Sequence, residues 1–516
     1  MVKYQIAAVA MCLFPVVNQA QSTGAARQDR PNIVYILADD MGYGDVSAYN
    51  ENAAWKTPHL DKMAGEGLRF TDAHTSSSVC TPTRYGILTG RYNWRSSLKK
   101  GVLSGYSQAL IAPHRMTVAN LLQQQGYQTA FIGKWHLGWD WHFSREATDM
   151  DNLSKNQSVD FGKPIENGPK ELGFSYSYGF SGSLDMPPYV YVENGIATAI
   201  PTDTTVSVED KGFWREGVTS PDFRHADVLS HLTGKAIQYI DRQADSGSPF
   251  FLYFPLPAPH TPILPNTEFL GMSNANFYGD FVLQVDHVVG QILAALEQKG
   301  IRSNTLVIFT SDNGCSPKAN FKELGRVGHH PSYIYRGHKA DIYEGGHRVP
   351  FIASWPGTIQ PALTDETICT TDLLATAAAL TGVALPDHAG EDSYNLLPLL
   401  RGESYPKPLR EATVHHSIDG QFAIRQGDWK LIMCAGSGGW SFPNTPQDLE
   451  GLPPIQLFNL ARDPSEKENV YQQHPEKVQA LKALLIKYIK EGRSTPGAPQ
   501  ANDGPEIWPQ ISWINQ

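Results

Sequence analysis

Short apolar runs recur along the first four hundred residues, with amphipathic segments between them. The runs at 32–38, 249–254 and 304–311 contain few polar side chains, which is typical of strands buried on both faces of a parallel sheet. Further strands are predicted at 68–71, 127–133, 174–180 and 351–355, and helices at 57–67, 117–125, 228–242, 279–299 and 371–380. This alternation predicts an α/β fold with a large, mainly parallel sheet sandwiched by helices.

The pattern changes after residue 405. Short strands with tight turns are predicted at 422–425, 429–432 and 456–460, and an amphipathic helix follows at 475–490. We therefore expect an α/β domain over residues 30–405 and a smaller C-terminal α+β subdomain, with an antiparallel sheet, over residues 406–516. Residues 140–225 are rich in aromatic residues, glycine and proline, and their hydrophobic residues show no clear period. A segment of this length without periodicity is usually functional or disordered.

The N-terminus has the pattern of a secretory signal peptide. Lys3 precedes an apolar run from Ile6 to Val17, and small and polar residues follow, so we expect a signal over approximately residues 1–22. This run is too short to cross a membrane as a stable helix, and no later stretch is apolar enough, so no stable membrane span is expected. The predicted location is secreted or periplasmic.

Charge and cysteine content narrow the possible functions. The formal net charge of −10 disfavours a nucleic-acid partner, although a locally positive site can still bind an anion. Outside the signal peptide the chain has only Cys80, Cys315, Cys369 and Cys434, too few for a disulfide framework in a chain of 516 residues. One bridge among the last three remains open.

Two groups of oxygen-bearing side chains follow predicted strands. Asp39 and Asp40 come directly after the strand at 32–38, and Asp312 and Asn313 come after the strand at 304–311. Ligands of α/β sheets bind at the carboxyl ends of strands, and these hard oxygen ligands suit Ca²⁺ or Mg²⁺ better than zinc. For Asp39 and Asp40 alone, a turn with one capping carboxylate is an equal alternative.

Basic and imidazole side chains stand at similar places. Lys134 and His136 follow the strand at 127–133, His260 lies on a proline-rich loop after the strand at 249–254, and Lys339 precedes Tyr343. The lysines offer positive charge, and the histidines can transfer protons near neutral pH. Taken singly, each has a plain alternative as an exposed lysine or a structural histidine.

The segment from Cys80 to Arg91 is predicted to begin a helix. Thr81 is the expected N-cap, Pro82 suits the first turn, and Gly90 is the expected stop. Cys80 would then lie where a helix N-terminus favours an anion, with Arg84 one turn further along. A low-pKa thiolate is one interpretation of Cys80, and a buried structural cysteine is another.

The spacing Cys-x-Pro-x-Arg, followed by Leu88-Thr89-Gly90-Arg91, resembles the signature of the type I sulfatases of the alkaline-phosphatase-like superfamily. Other segments resemble the same family in the same order: Leu37–Asp40, Gly133–Gly138, Pro259–Pro262, Ser311–Gly314, Lys339 before Tyr343–Gly346, and Leu457–Pro464. The resemblance covers Asn32 to about Leu460 and is closest to bacterial secreted glycan sulfatases.

The resemblance implies a set of roles. Cys80 would be converted to formylglycine by a formylglycine-generating enzyme, and one hydroxyl of the hydrated aldehyde would attack sulfur. Asp39, Asp40, Asp312, Asn313 and residue 80 would bind Ca²⁺, with Mg²⁺ as the alternative. The catalytic residues implied are Arg84 to hold the diol, Lys134 and Lys339 to neutralise the sulfuryl oxygens, His260 as general acid and His136 as the base that regenerates the aldehyde.

The expected substrate is a sulfated carbohydrate, of galactose or N-acetylgalactosamine type. Long loops, 11 tryptophans, 22 tyrosines and the predicted secretion favour a glycan. Ser183, Asp185, Arg224 and His225 are the candidate substrate contacts, with a capping aspartate and a surface histidine as equal alternatives. Two other functions remain open: a phosphomonoesterase or phosphodiesterase of the same superfamily, and a glycan-binding protein whose Cys80 is never converted.

Overall fold

The computed structural model of the chain describes residues 1–2, 30–143 and 159–515. Apart from its first two residues, the predicted signal peptide lies outside these ranges. Within them, no helix combines the length and the apolar character that crossing a membrane requires.

A ten-stranded sheet forms the centre of the molecule, in the order β13-β2-β12-β11-β1-β10-β4-β5-β6-β7. Its five middle strands, β11, β1, β10, β4 and β5, are mutually parallel, whereas β12, β6 and β7 run antiparallel to their inner neighbours. The prediction of a large, mainly parallel sheet is confirmed. The strands of the first 405 residues are β1 (Asn32–Ala38), β2 (Leu68–Phe70), β3 (Ala73–His74), β4 (Gln128–Lys134), β5 (Tyr176–Phe180), β6 (Val192–Glu193), β7 (Ile196–Ala197), β8 (Asp203–Ser207), β9 (Trp214–Thr219), β10 (Phe250–Pro255), β11 (Thr305–Ser311), β12 (Phe351–Ser354), β13 (Ala362–Thr364) and β14 (Ile368–Cys369).

Helices cover both faces of this sheet, as continuous apolar strands require. Alternate residues of β1 show the division: Tyr35 and Leu37 pack into the core on one face, whereas Val34 and Ile36 pack into the core on the other. The helices of this part of the chain are α1 (Pro58–Gly65), α2 (Cys80–Thr89), α3 (Val118–Gln124), α4 (Val228–Ala244), α5 (Phe277–Gln298), α6 (Phe321–Arg326), α7 (Glu344–His347), α8 (Leu373–Thr381) and α9 (Leu397–Leu400).

The C-terminal part has its own four-stranded antiparallel sheet, in the order β15-β16-β17-β18. The elements are β15 (Thr413–His416), β16 (Phe422–Gln426), β17 (Trp429–Ile432), β18 (Gln456–Asn459), α10 (Pro446–Leu449) and α11 (Pro475–Glu491). Apolar residues of α11 pack against β16 and β17 in a separate core. The α+β architecture is confirmed, while the boundary at 405/406 stays a prediction.

Three local expectations differ from the structure. The described part of 140–225 contains two hairpins that the sequence pattern does not predict: β6–β7, whose strands have only two residues each, and β8–β9, whose strands are mostly polar and little buried. Helix α2 begins at Cys80 with Val79 as N-cap, because the Thr81 hydroxyl instead accepts a hydrogen bond from the Leu103 N–H at 3.2 Å. All four cysteines outside the signal peptide are free, so the open possibility of a bridge is not realised.

Candidate active site

The polar residues that follow separate elements converge at the carboxyl edge of the sheet. Asp39 and Asp40 follow β1, Cys80 opens α2, and His260 stands on the loop after β10. Ligand atoms of these four side chains all lie within 4.8 Å of one another, and all four residues are buried. Residues as far apart in sequence as 39 and 260 therefore form one compact cluster.

Asp312 and Asn313, at the end of β11, complete the acidic part of the cluster. The backbone N–H of Asp40 donates to Asp312 Oδ1 at 3.1 Å, and Asn313 Nδ2 donates to Asp40 Oδ1 at 2.7 Å. Asp40 adopts a φ of 65°, in the left-handed region that aspartate tolerates better than most residues. This turn lets the carboxylates that follow neighbouring strands face each other.

Three buried cations face these carboxylates. Lys134 Nζ, from the last residue of β4, lies 2.7 Å from Asp39 Oδ2, and Lys339 Nζ lies 2.7 Å from Asp40 Oδ1. The Arg84 guanidinium donates to Asp312 Oδ2 at 2.8 and 3.2 Å. Buried charges need partners of this kind, because leaving one unpaired in the interior is costly.

The residues present fit a hard divalent cation. Asp39 Oδ1 and Asn313 Oδ1 are buried, and neither accepts a hydrogen bond within the described ranges. Burial and then the charge of Asp39 raise the pKa of Asp312 to about 7, so a cation bound here would favour its ionised form. Burial alone would also raise the pKa of Asp39, but Lys134, His260 and Arg84 hold it well below its usual value. Carboxylate and amide oxygens are the ligands that Ca²⁺ and Mg²⁺ prefer.

The two histidines of the site are fixed in orientation by backbone carbonyls. His260 Nδ1 lies 2.5 Å from the Thr261 carbonyl oxygen, and its Nε2 lies 3.6 Å from Asp40 Oδ2. His136 Nε2 lies 2.8 Å from the Leu103 carbonyl oxygen, and its Nδ1 is buried without a hydrogen-bond partner among the residues described. Burial, then Lys134 and Arg84, hold the pKa of His136 well below its usual value, so this imidazole is neutral and can accept a proton.

Cys80 is buried at the centre of the cluster, and its environment does not favour the thiolate. Burial raises the pKa of its thiol to about 12, although Lys134 and Lys339 both lower it. The interpretation of Cys80 as a low-pKa thiolate nucleophile is therefore not supported. The ammonium groups of Lys134 and Lys339 instead pair with Asp39 and Asp40.

Of the four candidate substrate contacts, three lie at or beside the cluster. Ser183 Oγ lies 3.1 Å from Lys134 Nζ and 3.4 Å from both ring nitrogens of His260. Asp185 is buried and pairs with Arg215 of β9. Against the effect of burial, the charge of His260 lowers the pKa of Asp185. His225 packs flat on Trp214, with ring centroids 4.1 Å apart, and burial lowers its pKa to about 4.

Arg224 does not join this group. Its side chain is 77% exposed and pairs with Asp227 at 3.2 Å, at the entrance to α4. Arg215, in contrast, was not among the sequence candidates, because it lies on a polar hairpin whose position against Asp185 depends on tertiary packing. The backbone N–H of Arg215 also donates to the Asp185 carbonyl oxygen at 3.1 Å, so strand and side chain hold Asp185 together.

Comparison with known proteins shows the family of the chain. Residues 31–383 match the family described as Sulfatase. The chain is 34% identical over 505 residues to the N-acetylgalactosamine-6-O-sulfatase of Bacteroides thetaiotaomicron, covering 91% of this chain and 95% of that protein. It is also 34% identical over 514 residues to human arylsulfatase A, covering 95% and 94% of the two chains.

One solved structure is similar to this chain in both fold and sequence. This structure, from work on glycosaminoglycan metabolism by Bacteroides thetaiotaomicron, has a TM-score of 0.77 and 33% sequence identity, and covers 89% of this chain and 99% of its own. The fold and the site define a sulfuric ester hydrolase. The chain belongs to the sulfatase family.

Proposed function

We propose that this sulfatase hydrolyses an O-sulfate ester on a carbohydrate of galactose or N-acetylgalactosamine type. The observation that carries the proposal is the buried cluster of Asp39, Asp40, Cys80 and His260, whose ligand atoms lie within 4.8 Å of one another. Buried cations beside these groups suit an anionic sulfuryl group. The 34%-identical relative named as an N-acetylgalactosamine-6-O-sulfatase supports the choice of sugar and favours a 6-O-sulfate.

Asp39, Asp40, Asp312 and Asn313, with residue 80, would hold a divalent cation, which we take to be Ca²⁺. When present, this cation supplies Lewis acidity, and a formylglycine made from Cys80 supplies the reactive oxygen. The unpartnered oxygens Asp39 Oδ1 and Asn313 Oδ1 support the ligand assignment. The raised pKa of the Cys80 thiol supports a role for the modified residue rather than for a free thiolate.

Lys134 and Lys339 would neutralise the sulfuryl oxygens. Their ammonium groups approach the cluster from two different segments, and each is already oriented by a carboxylate at 2.7 Å. Preorganised charges of this kind need no reorientation as negative charge moves toward the leaving oxygen. Arg84 would hold Asp39 and Asp312 in position, since its Nη2 lies 3.5 Å from Asp39 Oδ1 and 2.8 Å from Asp312 Oδ2.

The two histidines would transfer protons in opposite directions. His260 donates Nδ1–H to the Thr261 carbonyl, so a proton carried on Nε2 is the one available to the departing sugar oxygen. His136 donates Nε2–H to the Leu103 carbonyl, which leaves the lone pair of Nδ1 to accept a proton. We therefore assign His260 as general acid and His136 as general base.

Asp185 and its neighbours would recognise the sugar. Asp185 Oδ1 is buried and accepts no hydrogen bond among the described side chains, so it is available to a ring hydroxyl. Arg215 pairs with the other carboxylate oxygen. Burial would raise the pKa of Asp185, but His260 and then Arg215 lower it, which favours the ionised carboxylate. Ser183 and His225 complete this side of the site, whereas the exposed Arg224 is the weakest of the candidates.

The decisive experiment compares the sulfate ester and the phosphate ester of the same sugar. Purified protein is assayed with N-acetylgalactosamine 6-sulfate and N-acetylgalactosamine 6-phosphate, and the peptide spanning Cys80 is analysed by mass spectrometry. We expect sulfate release, little phosphate release, and a formylglycine mass at position 80. A Cys80→Ser variant serves as the inactive control. Faster release of phosphate than of sulfate would favour the phosphatase alternative, and a converted residue 80 without activity on any sulfated sugar would contradict the carbohydrate assignment.

Maturation and location are part of the same proposal. We infer that residues 1–22 direct export, that a formylglycine-generating enzyme acts on Cys80, and that residues 30–405 form the catalytic domain with 406–516 as a subdomain. The predicted signal sequence supports the first point, and the Cys-x-Pro-x-Arg motif supports the second. N-terminal sequencing of the exported protein tests the cleavage.

A further inference from the structure

The C-terminal subdomain places an exposed indole beside the reaction centre. Trp440 is 45% exposed, and it is the one tryptophan among the eleven, all within the described ranges, that is more than about a third exposed. Its ring centroid lies 6.0 Å from Lys339 Nζ, the ammonium group that contacts Asp40 at 2.7 Å. The indole therefore borders the solvent side of the lysine that we assign to the sulfuryl group.

The loop that carries Trp440 is anchored to the segment that carries Lys339. The backbone N–H groups of Trp440 and Ser441 both donate to Asp341 Oδ1 at 2.9 Å, and Asp341 is fully buried. Gly439 lies so close to Ala340 that an added Cβ would be 2.3 Å from its carbonyl oxygen. Because both contacts hold the loop to residues 340 and 341, the position of the indole is tied to that of Lys339.

The place of the indole, rather than its exposure alone, points to a role. Single apolar side chains are common on protein surfaces, but this one lies 6.0 Å from Lys339 Nζ, beside the proposed sulfate site, where a bound sugar would cover it. The C–H face of a pyranose ring is the apolar surface that an indole can stack against, and a sulfate bound between Lys134 and Lys339 requires its sugar to extend toward solvent.

We propose that Trp440 is a stacking platform for a pyranose ring of the substrate, so that the C-terminal subdomain contributes to substrate affinity. This inference rests on the proposed carbohydrate function. It predicts that loss of the aromatic ring weakens binding of the sulfated sugar while the reaction centre still binds the sulfate group normally.

The test is a binding measurement in a Cys80→Ser background with Ca²⁺ present. Isothermal titration calorimetry gives Kd for N-acetylgalactosamine 6-sulfate and for inorganic sulfate. We expect Trp440→Ala and Trp440→Leu to raise the first Kd about three- to tenfold and leave the second unchanged, while Trp440→Phe retains most of the affinity. Trp429→Ala is the matched control, because this half-buried indole of the same subdomain packs against His474.

Two outcomes separate this inference from the function on which it rests. Equal Kd values for the sulfated sugar in the Cys80→Ser protein and in its Trp440→Leu and Trp440→Ala derivatives would overturn the platform. Binding of inorganic sulfate without any binding of the sulfated sugar, already in the Cys80→Ser protein, would instead overturn the carbohydrate assignment.

Discussion

His260 shows how one side chain is prepared for a single proton transfer. The Thr261 carbonyl fixes Nδ1 as a donor, and Asp40 lies 3.6 Å from Nε2. Burial and Lys339 lower the pKa of His260, whereas Asp40 raises it, so the neighbouring charges act against each other. The lowered pKa makes the protonated imidazole a stronger acid than a free one, and Asp40, beside Nε2, favours the protonated form that the proposed general acid needs.

Replacing His260 by asparagine should affect substrates according to their leaving group. We expect His260→Asn to lower kcat/KM for a sugar sulfate by about 10²- to 10⁴-fold, the usual contribution of general acid catalysis. The loss with 4-nitrophenyl sulfate should be much smaller, because nitrophenolate leaves without protonation. His114→Asn, at an exposed histidine in the segment before α3, is the control. Equal losses on both substrates would remove the assignment of His260 as general acid.

We expect the buried carboxylates to make stability depend on a divalent cation. Asp39, Asp40 and Asp312 lie together, and the charge of Asp39 helps to raise the pKa of Asp312 to about 7. A cation that binds only the folded protein stabilises it by about 2.7 kcal/mol at a concentration of one hundred times Kd. We expect EGTA to lower the melting temperature and added Ca²⁺ to restore it.

The matched variant for this prediction is Asp312→Asn, which removes one charge with little change in volume. Its calcium-dependent shift should be smaller than that of the wild type, and its apo form should itself melt lower, because the buried Arg84 loses the charge of its partner at 2.8 Å. Differential scanning fluorimetry with and without Ca²⁺ measures both quantities. A wild-type melting temperature insensitive to Ca²⁺, Mg²⁺ and EGTA would contradict the ligand assignment.

At the scale of elements, the close packing of β4 against β10 positions Lys134. Gly133 has a φ of 142°, and a Cβ added there would lie 2.0 Å from the Pro255 carbonyl oxygen. No side chain fits between the two strands at this point, so glycine is required by close approach. Lys134 follows directly, and a shift of β4 would therefore move the ammonium group away from Asp39.

Gly133→Ala should therefore reduce both stability and activity. We expect a loss of about 1–3 kcal/mol in the free energy of unfolding from backbone strain and overpacking, with a lower kcat/KM in the folded fraction. Gly234→Ala is the control, because this glycine lies inside α4 with open space around its Cβ position and should gain up to about 1 kcal/mol. Urea unfolding measures the first effect, and unchanged stability of Gly133→Ala would show that β4 can move without cost.

At the scale of the whole molecule, buried ionic groups join the two parts of the chain. Lys430 of β17 lies 3.0 Å from Glu344 Oε1 of α7 and 2.9 Å from Glu466 Oε1, and its Nζ is also 3.0 Å from His347 Nε2. His415 of β15 stacks on His347 with ring centroids 3.8 Å apart. These contacts connect segments that a boundary near residue 405 would separate.

This burial makes stability fall as the pH decreases below neutrality. Among the described residues, seven buried histidines have a pKa lowered chiefly by burial: His74, His136, His225, His260, His347, His415 and His416. Four buried carboxyls have a pKa raised by burial and act in the opposite direction: Asp286, Asp312, Asp372 and Glu466. The unfolded chain binds more protons below a pH of about 6.5, because the histidines outnumber the carboxyls by three.

We therefore expect the free energy of unfolding to be highest above pH 6.5 and to fall as the pH decreases from 6.5 to 5, the range in which the histidines of the unfolded chain become protonated. Urea unfolding at constant Ca²⁺ measures this dependence. The His416→Gln variant is informative, because burial lowers the pKa of His416 to about 3. It should flatten the dependence by up to about 1.4 kcal/mol per pH unit. Stability that is equal at pH 7.5 and pH 5.5 would contradict the prediction.

The sequence by itself determined the strand and helix alternation and the chemical identity of the site. Continuous apolar strands and helical periodicity arise from neighbours along the chain, so the central sheet could be predicted locally. The polar residues after strands 32–38 and 304–311 could also be assigned to one edge, because parallel strands align their carboxyl ends. The hairpins β6–β7 and β8–β9 were not predicted, because strands that are very short or mostly polar give little periodic apolar signal.

Only the tertiary structure decided which distant groups meet. Arg215 reaches Asp185, Trp440 reaches the surroundings of Lys339, and Arg224 remains at the surface, although none of these outcomes follows from local pattern. These three positions depend on how helices, strands and loops that are distant in sequence pack together. The energy of that packing comes from the area buried between them rather than from sequence spacing. Burial likewise set the pKa of Cys80, which its place at a helix N-terminus alone would have lowered.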